Sequence, residues 1–101
     1  MLYGICLFSL SAIFPVFATD IHAGQQIASE VCSQCHGMRQ PAGLGLFPSL
    51  AGRDPRRIRD ALRQYRSKKR LSPIMNNLTG SLSNKEINNI AAYYSWVEVG
   101  N

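Results

Sequence analysis

Apolar residues return at three- and four-residue steps in three stretches of this chain, and each stretch predicts an amphipathic helix. In the first, Ile21, Ala23, Ile27, Ala28 and Val31 share one buried face, Asp20 is the N-cap, and the helix runs into Cys32–His36. Gly24 sits inside this helix at a cost of about 1 kcal/mol relative to Ala. A glycine there either lets another helix approach closely or is tolerated near a frayed end. The second helix opens on Asp54-Pro55, an N-cap followed by proline at the first helical position, and its stripe is Ile58, Ala61, Leu62 and Tyr65. The third opens on Ser83-Asn84-Lys85-Glu86, a capping box. Ile87, Ile90, Ala91, Tyr94 and Val97 continue it at helical spacing, with Tyr93 beside the stripe. Between the second and third, Leu71 to Leu82 holds Pro73, Met75 and Gly80, which predicts a short helix or turn ended by Gly80. No stretch shows a strand pattern. The fold expected is all-α, with three main helices and one or two short ones.

The segment from Gly37 to Gly52 has too many breakers for regular structure: Gly37, Pro41, Gly43, Gly45, Pro48 and Gly52. It also holds Leu44, Leu46, Phe47 and Leu50. A loop with four large apolar residues has to cover something apolar, either the helical core or a bound group.

The N-terminal stretch has a different pattern. Ile5 to Phe14 is almost entirely apolar, Pro15 interrupts it, and Val16-Phe17-Ala18 resembles a small-x-small cleavage site. Met1 to Gly4 lacks the Lys or Arg of a typical leader. The apolar run is short for a spanning helix, which needs about 20 residues. Residues 1–18 are read as a secretory signal peptide cleaved after Ala18, in preference to an uncleaved anchor. Residues 19–101 are read as one domain. Cys6 leaves with the leader, and so do three of the four Phe residues. The remaining aromatics are Phe47, Tyr65, Tyr93, Tyr94 and Trp96. So short a chain rarely builds an adequate core without a staple.

The staple is legible at the end of the first helix. Cys32-Ser33-Gln34-Cys35-His36 is the C-x-x-C-H pattern of c-type haem attachment. Positions three apart lie on the same side of a helix. Cys32 and Cys35 can therefore offer two thiols to the two vinyl groups on one porphyrin edge, and His36 can bring a ring nitrogen to the iron. A C-x-x-C pair can also be a redox dithiol or half of a zinc site. A zinc site needs further Cys or His ligands, and outside the motif the chain has only Cys6 and His22. A thioredoxin-like dithiol needs a βαβ setting. The adjacent His favours haem c over both. One haem face would also serve as the apolar surface that the Gly37–Gly52 loop covers.

A low-spin haem needs a second axial ligand from the opposite face. Met1 leaves with the leader. Met38 is two residues past His36 and stays on its side of the ring, and His22 lies ten residues before Cys32 on the same helix. Met75 remains, 39 residues beyond His36, beside Ile74 and Leu78. A lone Met is ordinarily core filler, but elimination makes Met75 the expected iron ligand.

The formal net charge is +5, and all eleven basic residues lie between Arg39 and Lys85. Two haem propionates would lower the charge to about +3. The run from Arg56 to Arg70 falls largely outside the second helix's apolar stripe, and is either a solvated face or a docking patch. A secreted domain is a poor candidate for nucleic acid. An acidic patch on a redox partner suits the charge better.

In order along the chain come Gly24, Cys32-Ser33-Gln34-Cys35-His36-Gly37, Pro48-Ser49-Leu50-Ala51-Gly52, Tyr65-Arg66-Ser67, Arg70-Leu71-Ser72-Pro73-Ile74-Met75, Leu82-Ser83 and Ile90-Ala91-Ala92-Tyr93-Tyr94. This ordered set resembles the class I c-type cytochromes. It is most similar to the short bacterial monohaem type and to one half of the dihaem periplasmic cytochromes, over almost all of residues 20–96. The resemblance implies the class I cytochrome c fold wrapped around a covalent haem, with His36 and Met75 as the axial pair. It implies that Pro48 presents its carbonyl to the His36 ring N–H, and that Arg70 lies near a propionate. It also implies that Gly24 and Ile27 pack against Ile90 and Tyr93 where the terminal helices cross. Two positions depart from the family: Lys68 stands where Gly is usual, and Phe47 precedes Pro48 where Gly is frequent.

The function expected is a periplasmic electron carrier moving one electron on a His/Met-ligated haem c. It needs no catalytic residue and no small-molecule substrate. Its partners would be redox proteins with acidic docking patches; nucleic acid is not expected, and peripheral membrane contact is compatible with the charge. One alternative is the haem c subunit of a larger periplasmic oxidoreductase, such as a sulfur-compound or alcohol dehydrogenase. Another is a small haem peroxidase or gas sensor with an open iron site, which requires that Met75 does not bind.

Overall fold

The computed structural model describes Gly4 and residues 19–40 and 45–98. The leader read at residues 1–18 lies outside these, apart from Gly4, and so do Pro41, Gly43 and Leu44. All the regular structure among the described residues is helical.

Helix α1 (Ile21–Ile27) passes through a π-helical turn (Ala28–Cys32) into α2 (Ser33–His36). Asp20 caps α1 by accepting from the Ala23 N–H. In the π turn the Ser33 N–H reaches back five residues to the Ala28 carbonyl. The extra residue in that turn changes the phase of the helix. Val31 was expected on the buried face, yet it is 41% exposed and faces a cavity. Gly37, at φ 72°, ends the segment in a conformation that a side chain would resist.

Helix α3 (Pro55–Arg66) begins on the Asp54 cap and Pro55, as the sequence predicts. Ile58 and Leu62 are buried, whereas Ala61 and Tyr65 are half-buried against the cavity. Helix α4 (Pro73–Thr79) is capped by Ser72 and ends at Gly80, which keeps a right-handed φ of −58°. Helix α5 (Asn84–Trp96) carries both halves of the capping box, Glu86 N–H to Ser83 Oγ and Ser83 N–H to Glu86 Oε1. Its expected stripe of Ile87, Ile90, Ala91, Tyr94 and Val97 is buried throughout, and Tyr93 is buried with it.

The terminal helices α1 and α5 cross closely, and α3 packs on both α5 and α4. Gly24 is the crossing point: a Cβ there would run into the backbone carbonyl of Asn89. Asn89 is buried, and its Oδ1 accepts the Asp20 N–H at 2.9 Å. The C-terminal end of α5 fastens the motif segment and the loop. The Tyr94 hydroxyl donates to the Gly37 carbonyl, and the Tyr94 carbonyl accepts from the Gly52 N–H. A solid core thus lies between α1, α3 and α5; Ala51, Leu50 and Met75 pack on it, while Leu46, Phe47, Ile74 and Leu78 stay exposed.

Candidate functional site

A cavity of about 800 Å³ lies beside that core. Cys32, Cys35, His36, Pro48, Arg70 and Met75, the six residues singled out from the sequence, all line it. The first helix brings the two cysteines to one wall because they are one turn apart. The loop after it contributes Phe47, Pro48 and Leu50; α3 contributes Ala61 and Tyr65; α4 contributes Ile74, Met75 and Leu78. Leu46, by contrast, is 78% exposed and does not reach the cavity. Phe47, Ile74 and Leu78 remain 38%, 55% and 38% exposed. In a short chain, large apolar side chains grouped at one hollow mark a binding site more than a packing fault.

His36 Nδ1 lies 2.6 Å from the Pro48 carbonyl oxygen. A carbonyl can only accept, so this contact assigns the proton to Nδ1 and leaves the Nε2 lone pair as the ring's free donor to a metal. The edge of Phe47 packs against the same ring, with centroids 6.1 Å apart at 62°. The unusual aromatic before Pro48 is therefore a wall for the imidazole. Burial pushes the Cys32 thiol up to about 11, so it is a poor thiolate in this setting. The Tyr94 hydroxyl is also pushed up, first by burial and then by the neighbouring Cys32 and Tyr93.

Also on the lining, Met75 is half-buried in the first turn of α4. Its N–H donates to Ser72 Oγ, and its carbonyl accepts from the buried Thr79 hydroxyl at 2.7 Å. Asn76 ties this turn down: its Nδ2 donates to the carbonyls of Tyr65 and Arg70, and its Oδ1 accepts from the Ser72 N–H. Arg70 Nη2 donates to Gln64 Oε1 at 3.1 Å, and the guanidinium sits over the Tyr65 ring. Met38 and His22, set aside as ligands from the sequence, are not among the lining residues. Met38 packs on the helical core instead, and His22 is exposed.

Two features of the site were missed in the sequence. Asn76 carries no motif, and its role rests on three contacts made through the fold. Arg53, before α3, and Arg57, in its first turn, also line the cavity, whereas the sequence places α3's arginines largely outside the apolar stripe. The other arginines of α3 are divided in their contacts. Arg56 and Arg59 form exposed ion pairs with Asp54 and Asp60, while Arg66 donates to the Leu82 carbonyl and to Asn84 Oδ1.

The donor set fits a haem. Two thiols one turn apart, an imidazole with Nε2 free, a thioether and a largely apolar wall match a flat macrocycle with two vinyl groups and an axially open iron. Among the described residues, no three of His, Cys, Asp or Glu converge as a metal cluster. The zinc alternative therefore has no ligand set there.

The chain is similar to known proteins over most of its length. The family model described as cytochrome c oxidase, cbb3-type, subunit III matches residues 19–93. Cytochrome c-554(547) of Halothiobacillus neapolitanus is 36% identical over 87 residues, covering 75% of this chain and 94% of that protein. Cytochrome c4 of Thiocapsa roseopersicina is 32% identical over 76 residues, and cytochrome c4 of Pseudomonas aeruginosa is 35% identical over 78. The matches cover 75% and 77% of this chain but only 39% and 38% of the two c4 proteins, so the chain spans about two fifths of their length. With a family match across nearly all the described helices, and a relative of similar size covered almost from end to end, the chain belongs to the class I c-type cytochromes.

Proposed function

We propose that this protein is a periplasmic carrier of single electrons, holding one haem c through thioether bonds from Cys32 and Cys35 and binding its iron with His36 and Met75. The family itself implies haem c and electron transfer. The ligand assignment is carried by one observation: both cysteines, His36 and Met75 line the same apolar cavity, and His36 Nδ1 is occupied by Pro48.

When bound, the haem supplies a one-electron ferric/ferrous couple. The chain's own residues orient and insulate that couple. Pro48 and Phe47 hold the His36 ring at a fixed angle. Ser72, Thr79 and Asn76 hold the turn that carries Met75. Leu50, Ile58, Leu62 and Leu82 line the cavity and exclude water, which together with thioether ligation favours the ferrous state. Arg70 faces the same cavity, where a propionate would find it. The partners are redox proteins whose acidic patches meet the positive surface.

The test is the intact mass and visible spectrum of protein from a haem-maturing host. The mass should equal the chain without residues 1–18 plus one haem. The oxidised spectrum should show the weak sulfur-to-iron band at the red end, and Met75→Ala should abolish that band. A folded, colourless protein of polypeptide mass alone would end this reading. Rapid binding of carbon monoxide or cyanide by the unmutated protein would replace it with an open-site sensor or peroxidase.

A further inference from the structure

Tyr94 does not line the cavity, yet it is fully buried and is fastened to both ends of the loop that follows the motif. Its hydroxyl donates to the Gly37 carbonyl at 3.1 Å. Gly37 is buried, follows His36 directly and turns the chain at φ 72°. The carbonyl of Tyr94, near the end of α5 where helical carbonyls run out of intrahelical partners, accepts from the Gly52 N–H at 2.8 Å. Gly52 also sits at φ 72°. The loop leaves at Gly37 and returns at Gly52, so one residue pins both of its ends.

Pro48 lies inside that loop, with its carbonyl 2.6 Å from His36 Nδ1. Pro48 itself is exposed, and Leu50 and Ala51 are the residues just after it that pack on the core. The contact between imidazole and carbonyl therefore depends on where the two ends are held, one directly after His36 and the other shortly after Pro48. The Tyr94 hydroxyl suits that task. Burial pushes its pKa above the ordinary tyrosine range, so it stays a proton donor. The Tyr93 ring packs against it edge-on, with centroids 5.4 Å apart.

We infer that Tyr94 is a positioning residue for His36, holding the loop from Gly37 to Gly52 so that the Pro48 carbonyl stays on the imidazole Nδ1. The inference rests on the reading of this cavity as the haem site. A ring N–H held by a carbonyl makes the other ring nitrogen the more basic ligand. A more basic ligand stabilises ferric over ferrous iron. Loosening the pin weakens that hold and favours the ferrous form.

The experiment compares the unmutated holoprotein with Tyr94→Phe and, as control, Tyr93→Phe. Tyr94→Phe keeps the ring and the backbone bond to Gly52 and removes only the bond to Gly37. Redox titration at fixed pH and ionic strength should show its ferric-to-ferrous ratio at a given applied potential falling by about twofold to fivefold. Proton NMR of the reduced protein should show the His36 ring N–H exchanging with solvent faster than in the unmutated protein. Tyr93→Phe, which removes the hydroxyl next door, should leave both readouts unchanged. A second measurement needs no variant: in the reduced unmutated holoprotein the His36 ring N–H and the Gly52 N–H should open to exchange together, with the same dependence on added denaturant. A Tyr94→Phe protein that loses stability while either readout stays put would make Tyr94 core filler and overturn the inference. Equal changes in Tyr93→Phe would overturn it too, as would independent opening of the two N–H groups. Absence of haem or of the sulfur-to-iron band in the unmutated protein would defeat the ligand assignment, whereas an intact band with His36 unmoved in Tyr94→Phe would defeat only the role of Tyr94.

Discussion

At the scale of single residues, the backbone at position 68 carries the plainest strain. Lys68 has φ 64°, the left-handed region where a Cβ is penalised. It closes the turn after α3, its N–H bonding the Tyr65 carbonyl. The sequence had marked it as a lysine where relatives use glycine, and the turn shows what that costs. Lys68→Gly should stabilise the holoprotein by about 0.5–1 kcal/mol, the relief of strain being partly offset by glycine's freedom in the unfolded chain. Chemical denaturation followed by circular dichroism measures it, and the visible spectrum should not change. Asn76 is the opposite case, a residue with no strain and three tertiary bonds. Asn76→Ala leaves two carbonyls and one N–H without their side-chain partner and should cost about 2 kcal/mol. Because those bonds hold the turn carrying Met75, the variant should also weaken the sulfur-to-iron band. A variant that loses stability but keeps the full band would make Asn76 a stability element only.

At the scale of elements, what could be read in advance was what local chemistry decides. Caps at Asp20, Asp54 and Ser83 and the stripe of α5 follow from neighbours a few residues apart and form where the sequence predicts, whereas only Ile58 and Leu62 of the α3 stripe are buried. The π turn at Ala28–Cys32 could not be read, because nothing in Ala-Ser-Glu-Val-Cys distinguishes five-residue from four-residue bonding. Val31 consequently faces the cavity and not the core. Asn89 was invisible for a related reason: polar residues beside an apolar stripe are read as outward, yet this one is buried because Asp20 of α1 supplies its partner. The capping box of α5 gives a prediction at this scale. The Glu86 carboxyl is held below its ordinary range, first by the Ser83 backbone N–H and then by the Ser83 side chain. A carboxyl whose folded pKa is depressed adds stability above its unfolded value near 4.5, and that stability disappears as pH falls through the lower folded value. Glu86→Gln should therefore be less stable than wild type at neutral pH, with the gap closing in acid. Thermal melts from pH 7 to pH 3 measure it, and a gap that persists at the acid end would assign the loss to lost shape instead of lost charge.

At the scale of the whole molecule, the helical core and the cavity are unequal halves. The site's candidate residues were legible because one five-residue motif names three of them, and elimination among three methionines and one other histidine pointed to Met75, which lines the same cavity. That Arg53 and Arg57 reach the cavity was not legible, since only folding separates them from the neighbouring arginines. The solid core is small: its largest fully buried side chains are Tyr94, Ile87, Ile90 and Thr79. Val31, Phe47, Ile74 and Leu78 meet a hollow of about 800 Å³ instead of one another. Domains of this size fold on their own only with little margin. Without a group in the hollow, those side chains and their loop leave apolar surface in water that the core cannot compensate. A ligand that binds only the folded chain adds its binding free energy to stability, and here it would also supply the missing apolar contacts. Cys32→Ala/Cys35→Ala, or the unmutated chain made without haem maturation, should therefore lack a cooperative thermal transition and bind a hydrophobic dye, while the haem-loaded protein melts in a single step. The α1–α5 crossing needs no haem at Gly24, so some residual helix in the apo chain is expected. A haem-free chain that melts as sharply and at the same temperature as the loaded protein would show that the helices hold the cavity open unaided.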